Sequence, residues 1–177
     1  ICPNMLTIAP FNERLAKPRN SEQPHNRSMD FRTTAAGHQY GVRASALIIH
    51  AGKLLTYSHH NKYFVPGGAV HVGEHSTDAV RREIREELGI DCTVRQLAFV
   101  GAHLFEAHGM PNHRIEFHYL VDVDPETVPV TTRDEGHHYP CVWLPLQSLA
   151  DYPLKPEFLT HELPQWDGEL THIATVE

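Results

Sequence analysis

Along the chain, apolar residues fall into blocks with two different periods, and the blocks begin abruptly near residue 40. Upstream, residues 1–36 are polar and irregular, with prolines at 3, 10, 18 and 24 and no repeating apolar position. They are expected to form an irregular extension or a segment foreign to the natural chain, with Met5 and Met29 both possible starts and Met29 directly before the patterned sequence; a partner-binding arm is the alternative reading. Residues 37–177 are expected to form the folded domain. Within it, residues 42–50 (VRASALIIH) and 53–57 (KLLTY) are strand-like runs flanking Ala51 and Gly52, a pattern that predicts a tight hairpin. Residues 63–65 then lead into Pro66, Gly67 and Gly68, a turn signal.

The period changes at Ser76. Val80, Ile84 and Leu88 recur every four residues and predict an amphipathic helix over 76–88. Ser76 or Thr77 is expected to cap its start, Asp78 to suit its first turn, and Gly89 to end it. Residues 92–100 and 115–123 (IEFHYLVDV) are strand-like, with 103–114 between them expected as a loop or hairpin tip. Residues 125–135 read as a further loop, 141–144 as a short strand, and 146–151 and 156–163 as short helical segments. Strands outnumber helices, and the helices interrupt rather than alternate with them. The expected class is therefore α/β of the α+β type, with a mixed sheet rather than a doubly wound parallel one.

Composition narrows the function classes. At 177 residues with 41% hydrophobic and 21% charged, the chain can bury a core without disulfides. Cys2, Cys92 and Cys141 are odd in number and far apart, so neither a disulfide framework nor a cysteine zinc site is indicated. The expected setting is reducing and cytoplasmic, and no apolar run is long enough to span a bilayer. A net charge of −7 argues against an extended nucleic-acid-binding surface. Fifteen histidines invite a metal reading, and His103, His108, His113 and His118 recur every five residues. That interval matches neither helix nor strand, so scattered surface histidines, with one or two near the active site, are the plainer account.

The chemistry-bearing segment lies on the helix. Glu83, Glu86 and Glu87 are three and four residues apart, so they share one flank, within an arc of about 100°. Like charges at these spacings repel and destabilise an isolated helix. A solvated face relieved by Arg81, Arg82 and Arg85 is one way to offset this, and a divalent cation held by hard carboxylate oxygens is another. The glycines ahead of the helix favour the second, because they let backbone approach a ligand closely.

Here the sequence resembles the Nudix hydrolase family. Gly68, Glu74, Arg82, Glu83, Ile84, Glu86, Glu87, Gly89 and Ile90 stand at the spacing of the Nudix box across residues 68–90, and residues 64–67 (FVPG) are similar to its lead-in. The resemblance implies a mixed sheet sandwiched between helices. It also implies hydrolysis of a phosphoanhydride bond in a nucleoside diphosphate linked to another group. Mg²⁺ or Mn²⁺ would be held by Glu83, Glu86 and Glu87 with the Gly67 main-chain carbonyl. Glu83 and Arg82 would be the catalytic pair, Glu83 as general base and Arg82 orienting it, while Glu74 would support the helix. A later acidic residue often joins the metal site in this family, with Glu135 the first candidate here and Glu116 the second. Small bacterial ADP-ribose pyrophosphatase-like members are the nearest in character, so ADP-ribose, other nucleotide sugars and nucleoside triphosphates are the expected small-molecule substrates. Tyr57, Phe64, Phe105, Tyr139 and Trp143 could stack a base, although aromatic side chains more often fill cores and rims. A homodimer is expected by family analogy alone. The alternative function is a catalytically silent Nudix-fold nucleotide sensor or binding module, whose mark would be loss of box carboxylates.

Because residues 1–28 offer no apolar face to a core, their removal should leave melting temperature and turnover nearly unchanged. Calorimetry and a rate assay on the truncated chain check this, and a large fall in either would show that the segment joins the fold.

Overall fold

The computed structural model describes residues 29–176 except 108 and 135. Strands β1 (Arg32–Ala35), β2 (His38–Leu47), β3 (Ile49–His50), β4 (Lys53–His59), β5 (Lys62–Phe64) and β6 (Gly67–Ala69) precede helix α1 (Ser76–Leu88). After it come β7 (Thr93–Ala107), β8 (Met110–Asp122), β9 (Thr131–Asp134), β10 (His137–Pro145), β11 (Leu154–Lys155), α2 (Leu159–Glu162) and β12 (Thr171–Val176), with 3-10 turns at Pro125–Thr127 and Leu146–Asp151. They build two sheets. The first runs β1-β2-β8-β7-β12 with β6 added to β2, and the second runs β11-β5-β4-β10-β9 with β3 added to β4. Both are mixed: β2 pairs β8 in parallel and β7 pairs β12 in parallel, whereas β7 and β8 are antiparallel. This is the α+β architecture expected from the order of elements.

Alternation along β2 divides the core. Ala44, Ala46 and Ile48 face α1, where they pack with Val80, Ile84 and Leu88 from the helix and Tyr119 and Val121 from β8. On the opposite face Leu47 joins Ala98, Phe99, Leu144, Leu154, Phe158 and Leu159, and the second sheet contributes to both clusters, with Leu55 and Trp143 on the α1 side and Leu54 and Leu144 on the other. The helical stripe is fully used, with Val80 and Ile84 0% exposed. Gly89 ends the helix in the left-handed conformation at φ 71°. The helix start differs from expectation. His75 is the cap residue and makes no side-chain cap bond, because the Ser76 hydroxyl is engaged instead with Tyr119 Oη at 2.8 Å.

Other departures all extend strands into regions that read as irregular. Residues 103–107 and 110–114 are not a loop: they continue β7 and β8, so that Ala107 pairs with Met110. The loop expected over 125–135 contains β9, held by β10. The irregular stretch expected through residue 36 gives way to β1, whose partner is β2. Each of these segments gains its structure from a partner strand rather than from its own apolar period. The hairpin at Ala51 and Gly52 forms as expected. Both residues have positive φ, 46° and 73°, as a two-residue hairpin turn matched to strand twist requires.

Ile84 carries the packing of α1. Ile84→Ala should lower unfolding free energy by about 2–5 kcal/mol, the range for truncating a fully buried aliphatic chain. Urea unfolding with an unchanged denaturant slope is the check; a loss below about 0.5 kcal/mol would place this helix face outside the core.

Candidate active site

The expected turn at Pro66, Gly67 and Gly68 is in part strand: Gly67 and Gly68 open β6, which pairs with β2 ahead of α1 and is shaped by what it must avoid. Gly67 has φ 141°, and a Cβ there would lie 2.3 Å from the Ala44 carbonyl oxygen. At Gly68 a Cβ would lie 2.1 Å from Glu83 Oε1. Only glycine at 68 lets the Glu83 carboxylate lie against this backbone. Glu87, four residues on, is buried and accepts a hydrogen bond from the Gly67 N–H at 3.0 Å. Two of the three helix carboxylates are thus brought to the glycine loop. Glu86 is not; its side chain is 60% exposed.

Arg82 organises this flank. Its guanidinium donates to both oxygens of Glu74, each at 2.9 Å, to Glu83 Oε1 at 2.7 Å, to Glu86 Oε2 at 3.2 Å and to the Ala69 carbonyl at 2.9 Å. Glu74 Oε2 also accepts from the His71 N–H at 2.9 Å. Burial pushes the Glu83 carboxyl above its ordinary pKa, against Arg82 and Arg43, which pull it down. Glu74 moves the other way, lowered chiefly by its hydrogen bonds from Arg82. The donor set, carboxylates on one helix flank beside a glycine backbone, is oxygen-rich and anionic, and so fits a hard divalent cation.

The Gly67 carbonyl accepts a hydrogen bond from Arg43, and Arg43 Nε lies 3.2 Å from Glu116 Oε1. Ser45 donates to the same oxygen. Glu116 is buried; burial alone would raise its pKa, but His118, Arg43, Ser45 and Arg114 together hold it at about 2. Burial also pushes the His118 imidazole down, to about 4. Glu116 therefore sits on the far side of Arg43 from the helix carboxylates. Glu135, the first candidate for a late acidic ligand, lies outside the described residues.

Arg43 and Glu116 also line a cavity of about 640 Å³ between the two sheets, together with Tyr57, Phe64, His103, Phe105, Lys62 and Arg114 among others. Tyr57 and Phe64 stack at 5.6 Å, and the Arg114 guanidinium lies 4.8 Å over the Phe105 ring. Trp143 packs instead against the core beneath α1. Sequence reasoning passed over Arg43 and Ser45, and it read His103 and His118 among scattered surface histidines, whereas both are buried. One signal was available: Glu116 and His118 stand two apart on one face of an otherwise apolar strand, a face on which polar groups must be compensated. Among the described residues, the one group of three metal-binding side chains with donor atoms all within 4.8 Å of one another is His103, Glu116 and His118, not the helix carboxylates.

Comparison with known proteins gives a consistent picture. The family model described as NUDIX domain matches residues 39–164. No curated protein matches the chain in sequence. Among solved structures, a MutT NUDIX hydrolase from Burkholderia pseudomallei is 28% identical with a TM-score of 0.50, covering 62% of this chain and 86% of that one. The E. coli ORF135 protein is 25% identical at TM-score 0.50, covering 76% and 92%. A MutT protein from Bacillus halodurans, at 14% identity, TM-score 0.58 and coverage of 77% and 90%, shares the fold.

Glu74 offers a test of the Arg82 clamp. Its folded-state pKa is depressed, so the stability it contributes is present above its unfolded-state pKa and is lost as pH falls through the folded-state value. Glu74→Gln should therefore cost about 1.5–3 kcal/mol near neutral pH, the range for hydrogen bonds to a charged group. The gap between parent and variant should close progressively below about pH 4. Parallel denaturation curves across pH check this; a gap that persists in acid would assign the loss to shape rather than charge.

Proposed function

The chain belongs to the Nudix family of hydrolases, and on that premise we propose that it cleaves the phosphoanhydride bond of a nucleoside diphosphate linked to a second group, with Mg²⁺ or Mn²⁺ as cofactor. ADP-ribose or another nucleotide sugar and nucleoside triphosphates are the substrate classes. The observation that carries the reading is the seating of Glu83 against Gly68 by Arg82, on a loop whose Gly67 carbonyl is bonded by Arg43 from the wall of the cavity. In this reading a phosphate chain extends from that cavity past Arg43 toward the helix carboxylates.

Glu83, Glu86 and Glu87 would hold the cation, with the Gly67 carbonyl adding one oxygen. When bound, such an ion neutralises phosphate charge and acidifies water. Glu83 takes the proton of the attacking water at its carboxylate, and Arg82 fixes the orientation of that carboxylate. Lys62 and Arg114 supply positive charge to the cavity, and Tyr57 and Phe64 present apolar surface to a base. This division lets the helix flank cut and the cavity select. No helix among the described residues is long and apolar enough to cross a membrane, and Cys92 and Cys141 are free thiols. Action in the cytoplasm and a homodimeric state remain part of the proposal.

Turnover of a nucleotide panel with Mg²⁺ and with Mn²⁺, identifying products, tests the reading. Glu83→Gln and Glu86→Gln should each lose at least about 10²-fold in kcat, within the span expected for a lost general base, while Glu74→Gln loses much less. Near-parental kcat in both variants, or full activity after exhaustive EDTA treatment, would overturn the assignment.

A further inference from the structure

On the cavity side of the first sheet, β7 and β8 present Phe99, Gly101 and His103 opposite His118, Glu116 and Arg114. Gly101 has a specific use here. A Cβ at this position would lie 2.0 Å from His103 Nε2, so the missing side chain is the space the imidazole fills. His103 thereby leans back along the strand toward Glu116 and His118, and the ligand atoms of the three residues lie within 4.8 Å of one another. All three are buried, His118 at 0% exposure.

Such burial of polar groups is costly unless they are satisfied. Neither ring nitrogen of His118 has a hydrogen-bond partner. Phe158 packs edge-on to His118 at 5.2 Å and face-on to His103 at 5.6 Å, closing one side of the cluster with hydrocarbon. The opposite side opens on the 640 Å³ cavity, which His103 and Glu116 line. His103 Nδ1 lies 2.7 Å from Thr175 Oγ1 on β12. With Nδ1–H donating there, the Nε2 lone pair points away from Thr175, the arrangement that metal-bound imidazoles commonly share. Ser45 and Arg43 both meet Glu116 at Oε1, which leaves Oε2 as the oxygen for a further ligand.

We propose that His103, Glu116 and His118 form a second divalent-metal site, separate from the helix carboxylates and suited to Zn²⁺. Two imidazoles and one carboxylate match the softness of Zn²⁺ better than that of Mg²⁺ or Ca²⁺, and three protein ligands leave a coordination position facing the cavity. Zinc–ligand distances of about 2.0–2.1 Å place donor atoms about 3.4 Å apart. Rotation of the two imidazoles supplies the remaining contraction. The ion would stand on the wall of the cavity, where its open position meets an anionic or lone-pair group of whatever occupies that space.

Binding is read without turnover. The full chain is stripped of metal and titrated with Zn²⁺ by calorimetry in buffer containing Mg²⁺. Separate samples take Co²⁺ for its visible absorption. The parent and a Glu83→Gln, Glu86→Gln, Glu87→Gln triple variant should each bind one equivalent tightly and show imidazole-bound Co²⁺. His103→Ala should lose at least about 100-fold in affinity, and Thr175→Val, which keeps side-chain shape, about 10- to 100-fold, the usual effect of removing the outer partner of a ligating histidine. Because His103→Ala could unfold, imidazole nitrogen NMR of the parent gives a second reading: Zn²⁺ should shift His103 and His118 together. No tight equivalent, unmoved His103 and His118 resonances, or a site lost in the triple variant and kept in His103→Ala would each overturn the proposal. Loss of hydrolysis by the triple variant with zinc binding intact keeps the two sites distinguishable.

Discussion

The guanidinium of Arg82 meets Glu74, Glu83, Glu86 and the Ala69 carbonyl at once, and the arrangement of α1 follows from that contact set. Three glutamates on one helical flank repel one another, and an isolated helix carrying them would be weakened. Arg82 supplies charge among them, and through Glu74 and Ala69 it ties the helix to the loop that precedes it. The loop must then come close, and Gly67 and Gly68 are the residues that permit it. Glycines, arginine and carboxylates are therefore parts of one electrostatic arrangement rather than separate motif positions.

What was legible in the sequence is what local chemistry decides. The stripe of Val80, Ile84 and Leu88 identified α1, and Gly89 its end. Ala51 and Gly52 marked a hairpin because a two-residue turn needs positive φ. The glycines and the glutamates that follow lie within a short stretch, so their grouping could be read from spacing, although Gly67 and Gly68 read as a turn and form strand β6 on β2. The rest was set by partners distant in sequence. Residues 103–107 and 110–114 lack a clear alternating pattern, yet they continue β7 and β8 because each strand supplies the other's backbone hydrogen bonds. Ser76 looked like a cap, but Tyr119, 43 residues away, takes its hydroxyl. The grouping of His103, Glu116 and His118 depends on hairpin register, which no spacing rule along one strand reveals.

Arg43 joins what would otherwise be two unrelated clusters. It is buried, a cost to its charge that Glu116 on one side and Glu87 and Glu83 on the other offset, so it stays protonated. Its contact with the Gly67 carbonyl makes the glycine loop a neighbour of the cavity floor. The loop's position is accordingly tied to the ionisation of groups in both clusters. A substitution on the cavity wall that disturbs Arg43 would be felt at the helix without touching it.

Gly101 has a consequence for how sequences of this fold can vary. The absent side chain at 101 and the ring at 103 are two halves of one volume, since a methyl group at 101 would collide with the imidazole. The constraint runs one way: 103 can shrink while 101 stays glycine, but 101 cannot grow while the ring stays in place. Enlarging 101 requires a smaller or redirected residue at 103, and restoring a ring at 103 requires glycine at 101 again. Across related chains, where the glycine has been replaced the histidine should be gone as well.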